Sequence, residues 1–434
     1  MKIAILGYDV EGRSSFEYFA AQGHELTIRD RNTKLVVPDS IASVLGEHYL
    51  DDLDQFDLLV RTPGLAPRDI LGVNPGVSGK ITTQMNEFFR VCPTKNIIGV
   101  TGTKGKGTTT TLITKLLEAA GKNVRLGGNI GVPPLTFLSA LTADSWVVLE
   151  LSNFQLIDLQ SSPHIAVSLA VVPEHLDWHK DMDDYVQAKS HIFSSQTADD
   201  IAIYCADNDI SKEIAQKSPG HKIPYSSPPG AHINGGAVVM DDQVLCQTSE
   251  LKLPGRHNWQ NVCAAITAVW QVTQDVAALH SVLTTFSALE HRIEFVRELD
   301  GIRFYNDSYA AGLQATKAAI ESITGKKVMI LGGYDRMLDL DHFGPYALKH
   351  ADDFRRLLLI GASGQRLADS LTKAGFTNFV VKPEAKTMEA VVHEARQLAQ
   401  PGDAIVLSPG FASFDMFKNF SERGRQFKEV VHNL

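Results

Sequence analysis

Asn96-Ile97-Ile98-Gly99-Val100-Thr101-Gly102-Thr103-Lys104-Gly105-Lys106-Gly107-Thr108 is the stretch on which the fold turns. Its first half is a short apolar run of the kind that forms a buried strand. Its second half is a glycine-rich turn leading into an apolar-periodic segment from about Thr108 to Ala120, closed by Gly121. Strand, glycine turn and helix together suit phosphate capture. Glycines let backbone N–H groups approach phosphate oxygens, the helix N-terminus adds about half a positive charge, and Lys106 adds a full one. A nucleoside triphosphate is the natural ligand, held by Gly102, Thr103, Lys104, Gly105, Lys106, Gly107 and Thr108. Val100 stands where a Walker A motif has its first glycine, so the loop is shorter than that motif; the competing reading is a plain turn with a solvated lysine.

The same rhythm extends in both directions. Upstream, Lys2 to Leu6, a turn Gly7-Tyr8-Asp9-Val10-Glu11-Gly12, a periodic segment to Gly23 and Leu26-Thr27-Ile28 ending at Asp30 form one βαβ unit. Asp9 sits where a dinucleotide fingerprint has glycine, and a carboxylate there repels a pyrophosphate, which disfavours NAD. Downstream, strands are expected at Val147 to Leu149, Ile165 to Val172 and Ile201 to Tyr204, with a helix from Asp184 to Phe193. Pro224 to Val244 reads as hairpins appended to that sheet, and the βα rhythm resumes with strands near Val328, Leu357, Phe379 and Ala404. The fold class is therefore α/β in three domains: a Rossmann-like domain at 1–93, a central P-loop domain with a mainly parallel sheet at 94–295, and a Rossmann-like domain at 296–434.

Composition narrows the function classes. The 434 residues are 44% hydrophobic and 21% charged, values of an ordinary folded protein, and the net charge of -9 offers no long-range attraction to nucleic acid or an anionic membrane. No apolar run is long enough to span a bilayer, and the N-terminus reads as a strand and not a signal peptide, so a cytoplasmic location is expected. The four cysteines, Cys92, Cys205, Cys246 and Cys263, lack zinc-site spacing and are expected to be reduced.

The phosphate loop resembles that of the Mur ligases and the folylpolyglutamate synthases. Further family marks follow in order: Gly127-Gly128-Asn129-Ile130-Gly131, Glu150-Leu151-Ser152-Asn153-Phe154-Gln155-Leu156, Glu174-His175-Leu176-Asp177, Ala188-Lys189, Gly255-Arg256-His257-Asn258 with Asn261, Glu290-His291-Arg292 and Asn306-Asp307-Ser308. Leu407-Ser408-Pro409 and Ala412-Ser413-Phe414-Asp415-Met416-Phe417-Lys418-Asn419-Phe420 are most similar to the branch that joins D-glutamate to UDP-N-acetylmuramoyl-L-alanine in peptidoglycan synthesis. The resemblance implies a monomeric ligase that spends ATP with Mg²⁺ to turn a carboxylate into an acyl phosphate, with those two small molecules as partners.

It also implies roles. Lys106, Lys189, His175 and Glu150 are the catalytic set, with Thr108, Glu150, His175 and Lys189 around the metal. Lys189 matches a lysine that reacts with CO₂ to form a carbamate, which needs a neutral amine. Asn258 and Asn261 would read adenine, and Arg292 and Asp307 would meet phosphate and ribose. Asp30, Arg31, Thr62, Gly64, Asn129 and Ser152 would border the UDP-linked substrate, and Arg336, Ser413 and Phe420 the amino acid. Read without the resemblance, Lys189 is an ordinary solvated lysine, Asn258 a helix cap, Arg292 and Asp307 surface ion pairs, and Asp30, Arg31 and the Thr62–Gly64 loop turn formers.

Three departures from the family stand out. Gly107 replaces a Ser or Thr, leaving Thr108 to serve the metal; Tyr309 and Ala311 replace a lysine and a threonine; Arg336 replaces a lysine. Arginine can bind a carboxylate bidentately, but tyrosine brings no charge and alanine no side-chain donor. A folylpolyglutamate-type ligase, a Mur ligase that uses another amino acid, and a nucleotide-binding regulatory homologue are the rival readings.

Overall fold

Ile3, Ala4, Ile5 and Leu6 are all fully buried, so the strand Lys2–Leu6 must be covered on both faces, as in the interior of a parallel sheet. Alternation does the sorting. Ala4 and Leu6 pack with Leu53, Phe56 and Leu59, while Ile3 and Ile5 pack with Phe19, Ile28 and Val60. The computed structural model, which describes residues 1–434 except 34, 39, 176–177, 254–255, 288–289, 336–339 and 341, places this strand at the centre of an all-parallel sheet. Its spatial order is Ala42–Leu45, Glu25–Asp30, Lys2–Leu6, Leu58–Arg61, Ile81–Thr83.

A second parallel sheet has the order His221–Tyr225, Ile201–Cys205, Ile165–Ser168, Ile97–Thr101, Trp146–Glu150, Val124–Gly128. Its central strand Ile97–Thr101 is wholly buried and runs into the helix Lys106–Ala119. The hairpins expected after Pro224 form, but as a separate antiparallel sheet of His232–Asn234, Ala237–Met240 and Gln243–Gln247. The strand expected from Ile165 to Val172 stops at Ser168, because the backbone of 170 and 172 leaves the sheet to bond Thr103.

These sheets belong to one compact unit, Met1–Phe286; Ser287–Leu434 forms another. The second unit has a six-stranded sheet ordered Glu294–Leu299, Ile302–Asn306, Ala404–Leu407, Lys327–Gly332, Phe354–Ile360, Phe379–Val381, parallel except for the antiparallel pairing of its first two strands. The cysteines are free, and among the described residues no helix is long and apolar enough to cross a membrane.

Within the first unit the five-stranded sheet is fastened to the six-stranded one by buried polar contacts. Arg61, fully buried, pairs with Asp158 and donates to the Phe154 carbonyl at 3.0 Å. Glu11, in the first turn of the helix Val10–Ala20, accepts from Gln155 Nε2 at 2.7 Å. Burial pushes the enclosed Glu11 carboxyl up to about 7, against the partial help of the Gln155 hydrogen bond. A carboxyl raised in the folded state supports the fold while protonated; that support is complete below its unfolded value of 4.5 and is lost as pH climbs through about 7. Glu11→Gln is therefore expected to be more stable than the parent at pH 8 by on the order of 2 kcal/mol, allowing for the residue's partial solvent access, and equal to it near pH 4. Denaturant unfolding at the two pH values checks this; parallel stability curves for the two proteins would contradict it.

Candidate active site

Two positive backbone angles shape the phosphate loop: Gly102 at φ 142° and Gly105 at φ 87°, the latter capping the helix Lys106–Ala119. A Cβ on Gly102 would lie 2.5 Å from Leu169 Cβ, and one on Gly105 2.3 Å from Asn261 Oδ1, so both positions need glycine for space as well as for angle. The helix begins at Lys106, two residues before the expected start, because Gly105 turns the chain directly into it.

Lys106 Nζ donates to the carbonyls of Gly102 at 3.1 Å and Thr103 at 2.9 Å. Lys189 Nζ donates to the same Gly102 oxygen at 2.9 Å. Lys189 is 1% exposed, which overturns its reading as a solvated lysine. Burial first, and the Lys106 charge second, hold its amine well below the usual lysine range, with Glu174 opposing. A buried amine that gives up its proton easily is a nucleophile. Its helix, Met182–Ser194, also places the Tyr185 ring 4.6 Å from Nζ.

Register puts Glu150 directly beside Val100 at the carboxyl end of the sheet, where ligands of open α/β sheets bind. Glu150 is 4% exposed; Oε1 accepts from Asn129 Nδ2 at 2.6 Å, and Oε2 is buried without a hydrogen-bond partner. An orphaned buried carboxylate oxygen costs free energy unless a cation or donor completes it. Among the described residues no three His, Cys, Asp or Glu side chains converge into a metal cage, and Glu150 is the carboxylate with the unpartnered buried oxygen. That donor set fits Mg²⁺, which keeps waters and phosphate oxygens and takes one or two carboxylates. His175 follows at a positive φ of 57°, its ring 4.9 Å from Phe154 and its Nε2 3.6 Å from Glu174. Thr108 is half-buried in the first turn of the loop helix.

The other expected residues divide plainly. Lys104 is exposed and Gly107 buried. Thr103 uses its amide on the Ala170 carbonyl at 2.9 Å, and its hydroxyl bonds Val172 O, Val172 N and Tyr185 Oη, so its polar groups fix the loop from behind. Asn258 lies inside the helix Arg256–Trp270 and not at its cap, and its Oδ1 accepts from Asn261 Nδ2 at 3.2 Å beside the loop. Ser152 caps the short helix Asn153–Leu156 in a reciprocal pair with Gln155. Asp30 accepts from the Tyr8 and Asn32 amides, and Thr62 Oγ1 donates to Leu6 O beneath the Gly7 turn, as turn formers do. Arg31 and Gly64 are exposed nearby in sequence.

The second unit carries its own polar cluster at the carboxyl ends of Ile302–Asn306 and Ala404–Leu407. Asp307 is 3% exposed and no surface ion pair: it accepts from Ser408 Oγ at 2.6 Å and Ile293 N at 3.1 Å, and burial pushes it up to about 7 despite Arg292 and Arg423. The Arg292 guanidinium lies 5.9 Å over the Tyr309 ring, which meets Phe420 edge-on at 5.2 Å. Ser413 is buried, and Arg423, which the sequence did not mark, ties the carbonyls of Phe411 and Ala412 to Ser308. Ala311 is exposed, and Arg336 lies outside the described residues.

Residues 100–269 match the Mur ligase middle domain and residues 291–411 the Mur ligase glutamate ligase domain. The chain belongs to the Mur ligase family. The UDP-N-acetylmuramoylalanine–D-glutamate ligase of Acetivibrio thermocellus is 37% identical, with 100% of this chain and 96% of that protein covered, and its counterpart in Clostridium kluyveri is 34% identical, with 100% and 97% covered. Among solved structures, a murein peptide ligase from Psychrobacter arcticus aligns with TM-score 0.54 at 16% identity over 100% of this chain and 99% of that one. A MurF ligase from Thermotoga maritima in complex with ADP aligns with TM-score 0.56 at 16% identity over 99% and 94%. These two show the shared fold.

Proposed function

We propose that this chain is an ATP-dependent ligase that adds D-glutamate to UDP-N-acetylmuramoyl-L-alanine in peptidoglycan precursor synthesis, working in the cytoplasm as a monomer. The observation that carries this reading is the convergence of Lys106 and Lys189 on one loop carbonyl, beside the strand that ends in Glu150, in a chain 37% identical over its full length to such an enzyme. Residues 1–93 would hold the UDP-linked acceptor, 94–295 ATP, and 296–434 the amino acid.

An acceptor carboxylate oxygen attacks the γ-phosphorus, and the bond to the ADP oxygen breaks. The amine nitrogen of the amino acid then attacks the acyl carbon, gives up a proton, and phosphate leaves with the C–O electron pair. Two anions must meet in the first step, so the work of the protein is charge neutralisation and positioning. Lys106 and the N-terminus of its helix take the phosphate charge; Asn258 and Asn261, which lie beside the loop, would read adenine. Lys189, once neutral, attacks CO₂ through Nζ and loses a proton, becoming a carbamate that offers oxygens. Glu150, His175, Thr108 and the Lys189 carbamate would hold Mg²⁺, which supplies further neutralisation of phosphate when bound.

Tyr309 and Ala311 favour a second reading, in which a Mur ligase of this kind accepts another amino acid. Phosphate release measured with UDP-N-acetylmuramoyl-L-alanine against D- and L-amino acids decides: D-glutamate should be preferred. Release with a different amino acid alone would move the specificity, and no substrate-dependent release at all would leave only a nucleotide-binding homologue.

A further inference from the structure

His179 is buried, its side chain fully so, yet both ring nitrogens are bonded to polar partners: Nδ1 to Asp184 Oδ2 at 2.8 Å and Nε2 to Asn153 Nδ2 at 2.8 Å. Those partners come from two separate segments. Asn153 opens the short helix three residues after Glu150, and Asp184 lies in the first turn of the helix that carries Lys189. The backbone amide of His179 donates to the His175 carbonyl at 3.0 Å, closing the turn in which His175 takes its left-handed angle. Phe154 touches both histidines, with its ring 4.9 Å from that of His175 and stacked on His179 at 6.4 Å, while Tyr185 meets His179 edge-on at 5.3 Å. A single imidazole thus ties the segments bearing Glu150, His175 and Lys189.

We propose that His179 is a positioning residue, which through Asn153 and Asp184 holds the three candidate metal-binding segments in register. The tautomer is fixed by its partners. Burial raises the Asp184 carboxyl, but the hydrogen bonds from His179 and the Lys180 amide outweigh it and keep it below the usual carboxylate range, so it only accepts. Nδ1 therefore carries the proton, and Nε2 accepts from the Asn153 amide. Groups one shell out from a metal set the orientation of those that touch it, and losing one typically costs about 10–100-fold in metal affinity or activity. A core histidine that merely fills space would leave metal affinity alone.

The inference rests on the metal-binding role proposed for Glu150, His175 and Lys189, and the test separates the two. Mn²⁺ binding is titrated by electron paramagnetic resonance on the full chain with a non-hydrolysable ATP analogue, for the parent, His179→Gln, Asn153→Ala and Glu150→Gln. Metal-free binding of the analogue and melting temperature are measured alongside. The expected result is an Mn²⁺ affinity about tenfold or more weaker in all three variants, with metal-free nucleotide affinity near that of the parent. Should His179→Gln fail to fold, Asn153→Ala, which removes one ring bond and leaves the imidazole in place, carries the test. Loss in Glu150→Gln with parent-like Mn²⁺ affinity in the His179 and Asn153 variants overturns the positioning role alone. Parent-like affinity in Glu150→Gln overturns the metal-site reading and the inference with it.

Discussion

Lys106→Met is expected to lower substrate-dependent phosphate release about 10³-fold while leaving the protein folded. Removing one preorganised donor from a transition state costs about 10²–10³ in rate, and Lys106 brings a full charge besides. It is half-buried at the start of its helix and donates to loop carbonyls 3.1 and 2.9 Å away, and methionine keeps the aliphatic stem and its packing. The helix N-terminus retains about half a charge, which is why nucleotide affinity should fall less than turnover. Steady-state phosphate release and a melting curve check both halves of the expectation. A rate within a few-fold of the parent would mean that the loop lysine does not meet the transferred phosphate.

Lys189→Met is expected to remove about 10²–10³ of kcat with nucleotide affinity nearly unchanged, because the loop glycines and Lys106 remain in place. Its amine is the most deeply buried of the lysines around the loop, and burial with a neighbouring ammonium is what frees its lone pair. The proposed carbamate adds a second observable: the parent should lose activity in CO₂-free buffer and regain it with bicarbonate. Full activity without CO₂ would leave Lys189 as a buried amine bonded to Gly102 and nothing more.

Much of this was legible in residue order. The strand, glycine turn and helix from Asn96 onward form within two residues of the expected bounds, since an apolar run, three close glycines and a periodic segment admit few alternatives. Lys189 was also readable in principle: Tyr185, Ala188, Ile192 and Phe193 are all buried around it, so helical periodicity puts the lysine on the apolar face. Its lowered proton affinity was an inference from resemblance until burial supplied the cause. Other features needed the third dimension. Ile165 to Val172 reads as one strand because its composition is uniform, and contacts with Thr103 and the Asn208 side chain take the backbone beyond Ser168 out of the sheet. Thr103 looks like a phosphate contact in a glycine-rich loop, but its hydroxyl and amide face the protein. His179 has no periodic signal, sitting in a turn, and Arg423 reads as a surface helix residue until its carbonyl partners are seen.

In the proposed first step the acceptor carboxylate itself attacks phosphorus. Oxygen-labelled UDP-N-acetylmuramoyl-L-alanine, carrying the heavy isotope in its terminal carboxylate, tests it most directly when turned over with ATP, Mg²⁺ and D-glutamate. One labelled oxygen is expected in each phosphate released, in step with formation of the glutamyl product. Unlabelled phosphate, or phosphate released at the same rate without D-glutamate, would contradict it.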